Sequence, residues 1–250
     1  MGKGILTLII LTTTSLYDTG FLDKVVCEFE KEYKCKVKII SVGSGMAFKL
    51  GKSGEGDLLF VHEPEGEENF IKEGYGEKRI FVLKNEFVLC GPEKDPGKIS
   101  FCKDIFDAFK NIYNKNLIFI SRDDKSGTNI REKKIWEKIK INPEGKNWYI
   151  QTGVGMIESL RIAEEKSGYI LSDISTFISH KNEFKNLKIL LRDRKNLENF
   201  YSIIPVSSKK FPYVNKELTE KFIEFMKSEK LRKIVDEFKF DGERIFEVVE

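Results

Sequence analysis

Short apolar runs alternate with segments of helical spacing along almost the whole chain, and no other feature limits its fold as much. Ile5 to Leu11 is the first run. Apolar residues at 21, 22, 25, 26, 29 and 33 then predict a helix from about Ser15 to Tyr33. "CKVKIIS" reads as a strand, Met46–Leu50 as a short helix, "DLLFV" as a buried strand, and Glu65 to Glu73 as a helix stopped at Gly74. "RIFVL" and "EFVLCG" read as two further strands, with Gly91-Pro92 as a break. The alternation continues with a helix from about Phe101 to Asn114, strand "LIFIS", and a helix carrying Ile130, Trp136 and Ile139. "WYIQTGVGM" leads into a helix to about Lys166, then come strand "GYILS", a short helix, and strands "LKILL" and "NFYSIIPVS". Helices from Lys216 to about Phe238 close the pattern. Such alternation predicts an α/β architecture with mostly parallel sheets.

The segments "NEFVLCGP" (85–92) and "NFYSIIPV" (199–206) are alike: an Asn, an aromatic, then an apolar strand ending at or near Pro. Read as paired crossings, they predict a discontinuous first lobe, residues 1–86 plus 202–250, and an inserted second lobe, residues 87–201.

Bulk properties narrow the function. The chain has 250 residues, 43 basic against 40 acidic groups, and a net charge of +3. The signs are interspersed, so there is no basic track for nucleic acid. The first apolar run is too short to span a membrane. Lys3 precedes it, but no small-residue cleavage site follows, so it reads as a strand rather than a signal-peptide core. Cys27, Cys35, Cys90 and Cys102 form no C-x-x-C pair. Their even number permits disulfides in an exported protein, while buried apolar thiols are the simpler expectation.

The chemistry lies in four strand-to-helix turns: Thr12–Ser15, Val42–Gly45, Arg122–Thr128 and Thr152–Gly155. In open α/β sheets ligands bind at this end of the strands, where helix N-termini gather. Thr12-Thr13-Thr14-Ser15 supplies more hydroxyls than capping requires. Glycines let backbone N–H groups approach an anion, and hydroxyls add donors. Arg122 brings a guanidinium fork suited to an oxyanion, although Asp123 or Asp124 could claim it as an ion-pair partner. Asn129 and Glu132 have capping-box spacing. Two turns fall in each predicted lobe, so a cleft could enclose one ligand from both sides.

Other motifs fail. "GMAFKLGKS" lacks the glycine spacing of a P-loop. His62 and His180 fit no metal spacing, and His62-Glu63-Pro64 reads as structural. No nucleophile–base pair is readable, so no enzyme is expected. Asp18, Asp57 and Asp173 are expected near the cleft, as caps.

"TTTSLYDTGFLD", the stretch from Val37 to Gly76, "SRDDKSGT", "WYIQTGVGM" and "LSDISTF" together resemble the tungstate-binding proteins of tungstate-specific ABC transporters, over Leu11 to Phe238. The resemblance implies a type II periplasmic-binding-protein fold: two α/β lobes, each a mixed, mostly parallel sheet flanked by helices, closing on an oxoanion in the cleft between them. It implies that Thr13, Thr14, Ser15, Ser44, Arg122, Ser126 and Thr128 contact the ligand. The glycine turns add Gly45 and Gly153. It implies an extracytoplasmic, monomeric receptor with a membrane permease as partner and no cofactor or bound metal cation, although no export signal is visible. Tungstate and molybdate are fully ionised at neutral pH and accept hydrogen bonds without donating any. Protonated phosphate would need an acceptor carboxylate, a role open to Asp18 or Asp173. A phosphate receptor and an intracellular oxoanion sensor are the alternatives.

Overall fold

The computed structural model describes residues 6–240 and 242–249, apart from the Ser15 side chain. Lys3 and Ile5, at the expected start of the first strand, lie outside the described residues. The chain divides into two units. One comprises the residues up to Lys84 with those from Phe200 onward; the other is Asn85–Asn199. Among the described residues no helix is long and apolar enough to cross a membrane.

The first unit opens with β1 (Thr7–Thr13), α1 (Thr14–Tyr17), α2 (Phe21–Tyr33), β2 (Lys36–Val42), α3 (Ser44–Lys52), β3 (Leu58–Val61), α4 (Pro64–Lys72) and the start of β4 (Ile80–Pro92). β1 is parallel to both β2 and β3, with Thr12 beside Ser41 and Phe60. Its run of buried residues is the pattern of a strand covered on both faces. The expected helix from Ser15 to Tyr33 is in fact two. Gly20 adopts φ 73° and caps the second, and this left-handed step interrupts the helix. Likewise "RIFVL" and "EFVLCG" form one unbroken strand. Separate partners hold its two halves extended, one of them being the strand Tyr169–Asp173, which pairs with Phe87–Cys90.

The second unit continues through α5 (Ile105–Asn114), β5 (Phe119–Ser121), α6 (Gly127–Lys138), β6 (Tyr149–Gln151), α7 (Met156–Lys166), β7 (Tyr169–Asp173), α8 (Ile174–His180), β8 (Leu187–Arg192) and α9 (Arg194–Leu197). β5 lies parallel between β6 and β7, and the later half of β4 runs antiparallel to β7 and β8. Its core is aromatic. Phe109, Phe119, Trp136, Trp148 and Tyr149 are buried together, with Phe109 and Trp136 ring centroids 4.5 Å apart.

The chain returns to the first unit along β9 (Glu198–Pro205), whose later residues pair antiparallel with β3. α10 (Lys216–Phe225) and α11 (Glu229–Glu237) follow. Phe29 of α2 packs edge-on against Phe222 and Phe225. The short strands β10 (Lys239–Phe240), β11 (Glu243–Arg244) and β12 (Glu247–Val248) end the described chain. β12 pairs with Leu83 and Lys84, the first half of β4. All four cysteines are free; Cys35 and Cys90 are buried, whereas Cys27 is exposed and Cys102 half-buried.

Candidate functional site

All four turns connect the carboxyl end of a parallel strand to a helix. In the first unit, β1 and β2 end in register, Thr13 beside Val42, which sets the first two turns next to each other. In the second unit, Ser121 pairs with Gln151, and Thr152 N–H and Gly153 N–H donate to the carbonyls of Ser121 and Arg122 at 2.9 and 2.8 Å. Within each unit the turns therefore form a pair.

In the Thr12–Ser15 turn the hydroxyls divide by role. Thr12 is fully buried and its hydroxyl donates to the Phe60 carbonyl at 2.8 Å, so it is a sheet contact. Thr13 is buried, occupies the N-cap of α1 in extended conformation, and makes no side-chain cap bond there. Thr14 is exposed. The Ser15 side chain lies outside the described residues. α1 has four residues, so donors in the turn, rather than a helix dipole, are what it offers.

The Val42–Gly45 turn shows the clearest sign of a site. Gly43 is the N-cap of α3, at φ −65° and ψ 151°, and Ser44 begins the helix half-buried. A Cβ at Gly43 or Gly45 would meet nothing within 4 Å, and neither has a left-handed φ. Neither packing nor backbone conformation demands glycine here. The space where side chains at Gly43 and Gly45 would stand is open, and the first bonds of α3 run from the Met46 and Ala47 N–H groups to the Gly43 carbonyl, after Ser44 and Gly45.

In the Arg122–Thr128 turn, Asp123 and Lys125 adopt φ 45° and 60°, a tight reversal between β5 and α6. The Arg122 side chain is 14% exposed. Its Nη2 pairs with Asp124 Oδ2, while its buried Nε has no partner. Asp124 Oδ1 also accepts from Ser126 N–H at 3.1 Å. Ser126 is the N-cap of α6, its hydroxyl accepting from Asn129 N–H at 3.4 Å. An accepting hydroxyl still has its own proton to donate. The expected capping box of Asn129 and Glu132 is overturned: both lie inside the helix, and Glu132 turns inward to a buried network. Thr128 is buried in the first turn of α6.

In the fourth turn, Gly153 has φ 67° and its N–H is already bonded to the Arg122 carbonyl. It braces the Arg122 turn. Gly155 is the N-cap of α7, without a side-chain bond.

The three carboxylates resolve differently. Asp57 stands at the opposite end of its strand from the turns, accepting from Ile9 N–H at 2.7 Å and Asn215 N–H at 2.6 Å, which corrects its expected place. Asp173 caps α8 and is engaged by the Ser175 hydroxyl and by the Thr176 N–H and hydroxyl. Asp18 is exposed at the end of α1. His62 packs against Tyr201, ring centroids 4.6 Å apart and the rings tilted by 33°, and Glu63 caps α4 by accepting from Gly66 N–H.

Sequence reasoning missed two features. Ser41 Oγ, beside Thr12 in the register, is buried with no partner. Glu132 is a buried carboxylate that capping-box spacing disguised. A polar residue predicted at a helix start but placed where Trp136 and Ile139 set a buried face was the available signal.

The PBP superfamily domain matches residues 4–230. The tungstate-binding protein TupA of Peptoclostridium acidaminophilum is 38% identical over 93% of this chain and 81% of its own. The solved tungstate-binding protein TupA of Desulfovibrio alaskensis superposes with a TM-score of 0.90 at 36% identity, over 98% of this chain and 99% of that one. The tungstate ABC transporter structure from Geobacter sulfurreducens gives 0.84 at 38% identity, over 92% and 97%. The fold, the paired strand-to-helix turns and these likenesses agree: the chain belongs to the PBP superfamily of solute-binding proteins, alongside the tungstate-binding members.

Proposed function

We propose that this chain captures tungstate, with molybdate as its nearest competitor, outside the cytoplasm, and passes it to the permease of an ABC transporter. The observation that carries the reading is the Val42–Gly45 turn, where glycines that neither conformation nor packing requires leave open space at the start of α3. Arg122, with an unpartnered buried Nε, supplies positive charge in the other unit. The contact residues we propose are Thr13, Thr14, Ser15, Ser44, Gly45, Arg122, Ser126 and Thr128, with Gly153 as a brace. The protein acts as a monomeric binding protein without cofactor, and not as an enzyme.

The bonding of Asp173 supports a fully ionised ligand. Asp173, one of the two acceptors left open for a protonated phosphate, already receives three donors. Phosphate is the second reading, favoured by Asp124 at the Arg122 turn. Competitive calorimetry with tungstate, molybdate, sulfate and phosphate decides between them. At a hundredfold excess over Kd, tungstate should stabilise the fold by about 2.7 kcal/mol. A response to phosphate with none to tungstate or molybdate would sink the reading.

A further inference from the structure

Beside the two turns of the second unit lies a buried carboxylate with no ion-pair partner among the described residues. Glu132 is 2% exposed. Its Oε1 accepts from the Tyr149 hydroxyl at 2.6 Å and Trp136 Nε1 at 3.0 Å. Its Oε2 accepts from the Ser121 hydroxyl at 2.6 Å and Asn129 Nδ2 at 3.4 Å. All four donors are neutral, and Trp136 and Tyr149 belong to the aromatic core. An ion pair does not explain a carboxylate here: burial pushes it above the usual range, and its neutral donors pull the other way.

The positions of its partners do explain it. Ser121 immediately precedes Arg122, and its carbonyl accepts the Thr152 N–H. Asn129 reaches Glu132 with its Nδ2, takes the Lys125 N–H on its Oδ1 at 3.3 Å, and donates its own N–H to the Ser126 hydroxyl. Tyr149 starts the strand that ends at Gln151, next to Thr152. Only a carboxylate, with acceptor sites on both oxygens, can take four donors from three elements; the amide of Gln offers one accepting oxygen.

We propose that Glu132 is the positioning residue for the oxoanion turns of this unit, tying the end of β5, the first turns of α6 and the start of β6 to one buried point. The inference rests on the oxoanion reading above and extends it to a residue that does not touch the ligand. Its charge gives the test a sign. A negative charge under an anion site repels the ligand, so if charge alone mattered, neutralising it would tighten binding. Loss of positioning weakens it.

The experiment is calorimetric titration of tungstate into the full chain as wild type, Glu132→Gln and Tyr149→Phe, at a temperature where all are folded. Hydrogen exchange of the ligand-free proteins accompanies it. Glu132→Gln should weaken tungstate binding by about tenfold or more, as for loss of hydrogen bonds to a charged group. Tyr149→Phe should weaken it less, and exchange should rise locally over residues 121–129 and 149–155. Unchanged or tighter binding in the folded variants, or exchange that does not rise in those segments, overturns the inference. If wild type binds phosphate instead, the same comparison is made with phosphate. If it binds none of the four anions, the oxoanion reading fails, and the local exchange pattern still decides whether Glu132 holds the turns.

Discussion

Asn199 donates from its side-chain Nδ2 to the Asn85 Oδ1 at 2.9 Å, and both residues are buried. These are the first residues of the two look-alike segments. Asn85 is also the first residue of the second unit and Asn199 its last. The chain leaves the first unit after Lys84 and re-enters it at Phe200, so the repeated motif marks the two ends of one inserted unit, joined by a direct bond. A buried amide pair satisfies polar groups that would otherwise be costly there.

Arg122→Ala should weaken oxoanion binding by roughly 2–4 kcal/mol, as for loss of a partly buried charge-assisted contact. Arg122→Lys keeps the charge but loses the fork and should recover only part of it. Calorimetry with tungstate checks both. Wild-type affinity in the alanine variant would reduce Arg122 to the partner of Asp124.

Adjacent hydroxyls should separate stability from binding. Thr12→Val removes the bond to the Phe60 carbonyl and should lower stability by about 1 kcal/mol while leaving affinity unchanged. Ser44→Ala should do the reverse. Urea unfolding and titration of the same two variants give the comparison, and equal effects on both measures would count against the division of roles.

Glycines at two turns should respond in opposite ways. Gly20 has a left-handed φ, so Gly20→Ala should lose about 1–2 kcal/mol of stability. Gly45 lies in α3 with open space around it, so Gly45→Ala should keep or raise stability by up to about 1 kcal/mol. The same substitution should weaken the oxoanion complex. Melting curves with and without tungstate read both effects.

Glu67 is fully buried and pairs with Arg79 Nε at 2.5 Å. Burial holds its carboxyl above the usual 4.5, outweighing the opposing pull of Arg79. The folded state therefore binds this proton more tightly than the unfolded chain. The contribution of Glu67 to stability is greatest below pH 4.5 and declines as pH rises through its raised value. Arg79→Met leaves the carboxylate buried without its cation and should lose about 3–5 kcal/mol at neutral pH. Removing Arg79 raises Glu67 further, so part of that loss should return on acidification. Urea midpoints at about pH 7.5 and about pH 5 check the sign. A deficit that grows toward the lower pH would contradict it.

Particular residues show where sequence was sufficient. Strand–turn–helix order follows from hydrophobic spacing and turn composition, which are local, so Thr12–Ser15, Val42–Gly45, Arg122–Thr128 and Thr152–Gly155 were legible as strand-to-helix turns. Hydroxyl and glycine content made them legible as candidate oxoanion sites. What depends on distant partners was not legible. β4 runs unbroken because β12 pairs with Leu83 and Lys84 while β7 pairs with Phe87 to Cys90, and both partners lie far away in sequence. Glu132 faces Tyr149 rather than its own helix start because the aromatic core turns that face of α6 inward. Asp57 precedes its strand, so its place at the amino end was legible; that Ile9 and Asn215 N–H would both donate to it was not. The sequence by itself determined the fold class and the kinds of donor at each turn. Tertiary structure decided which donors are already bonded, because a hydroxyl, a carboxylate or an N–H is available to a ligand only when no group brought near by folding has taken it.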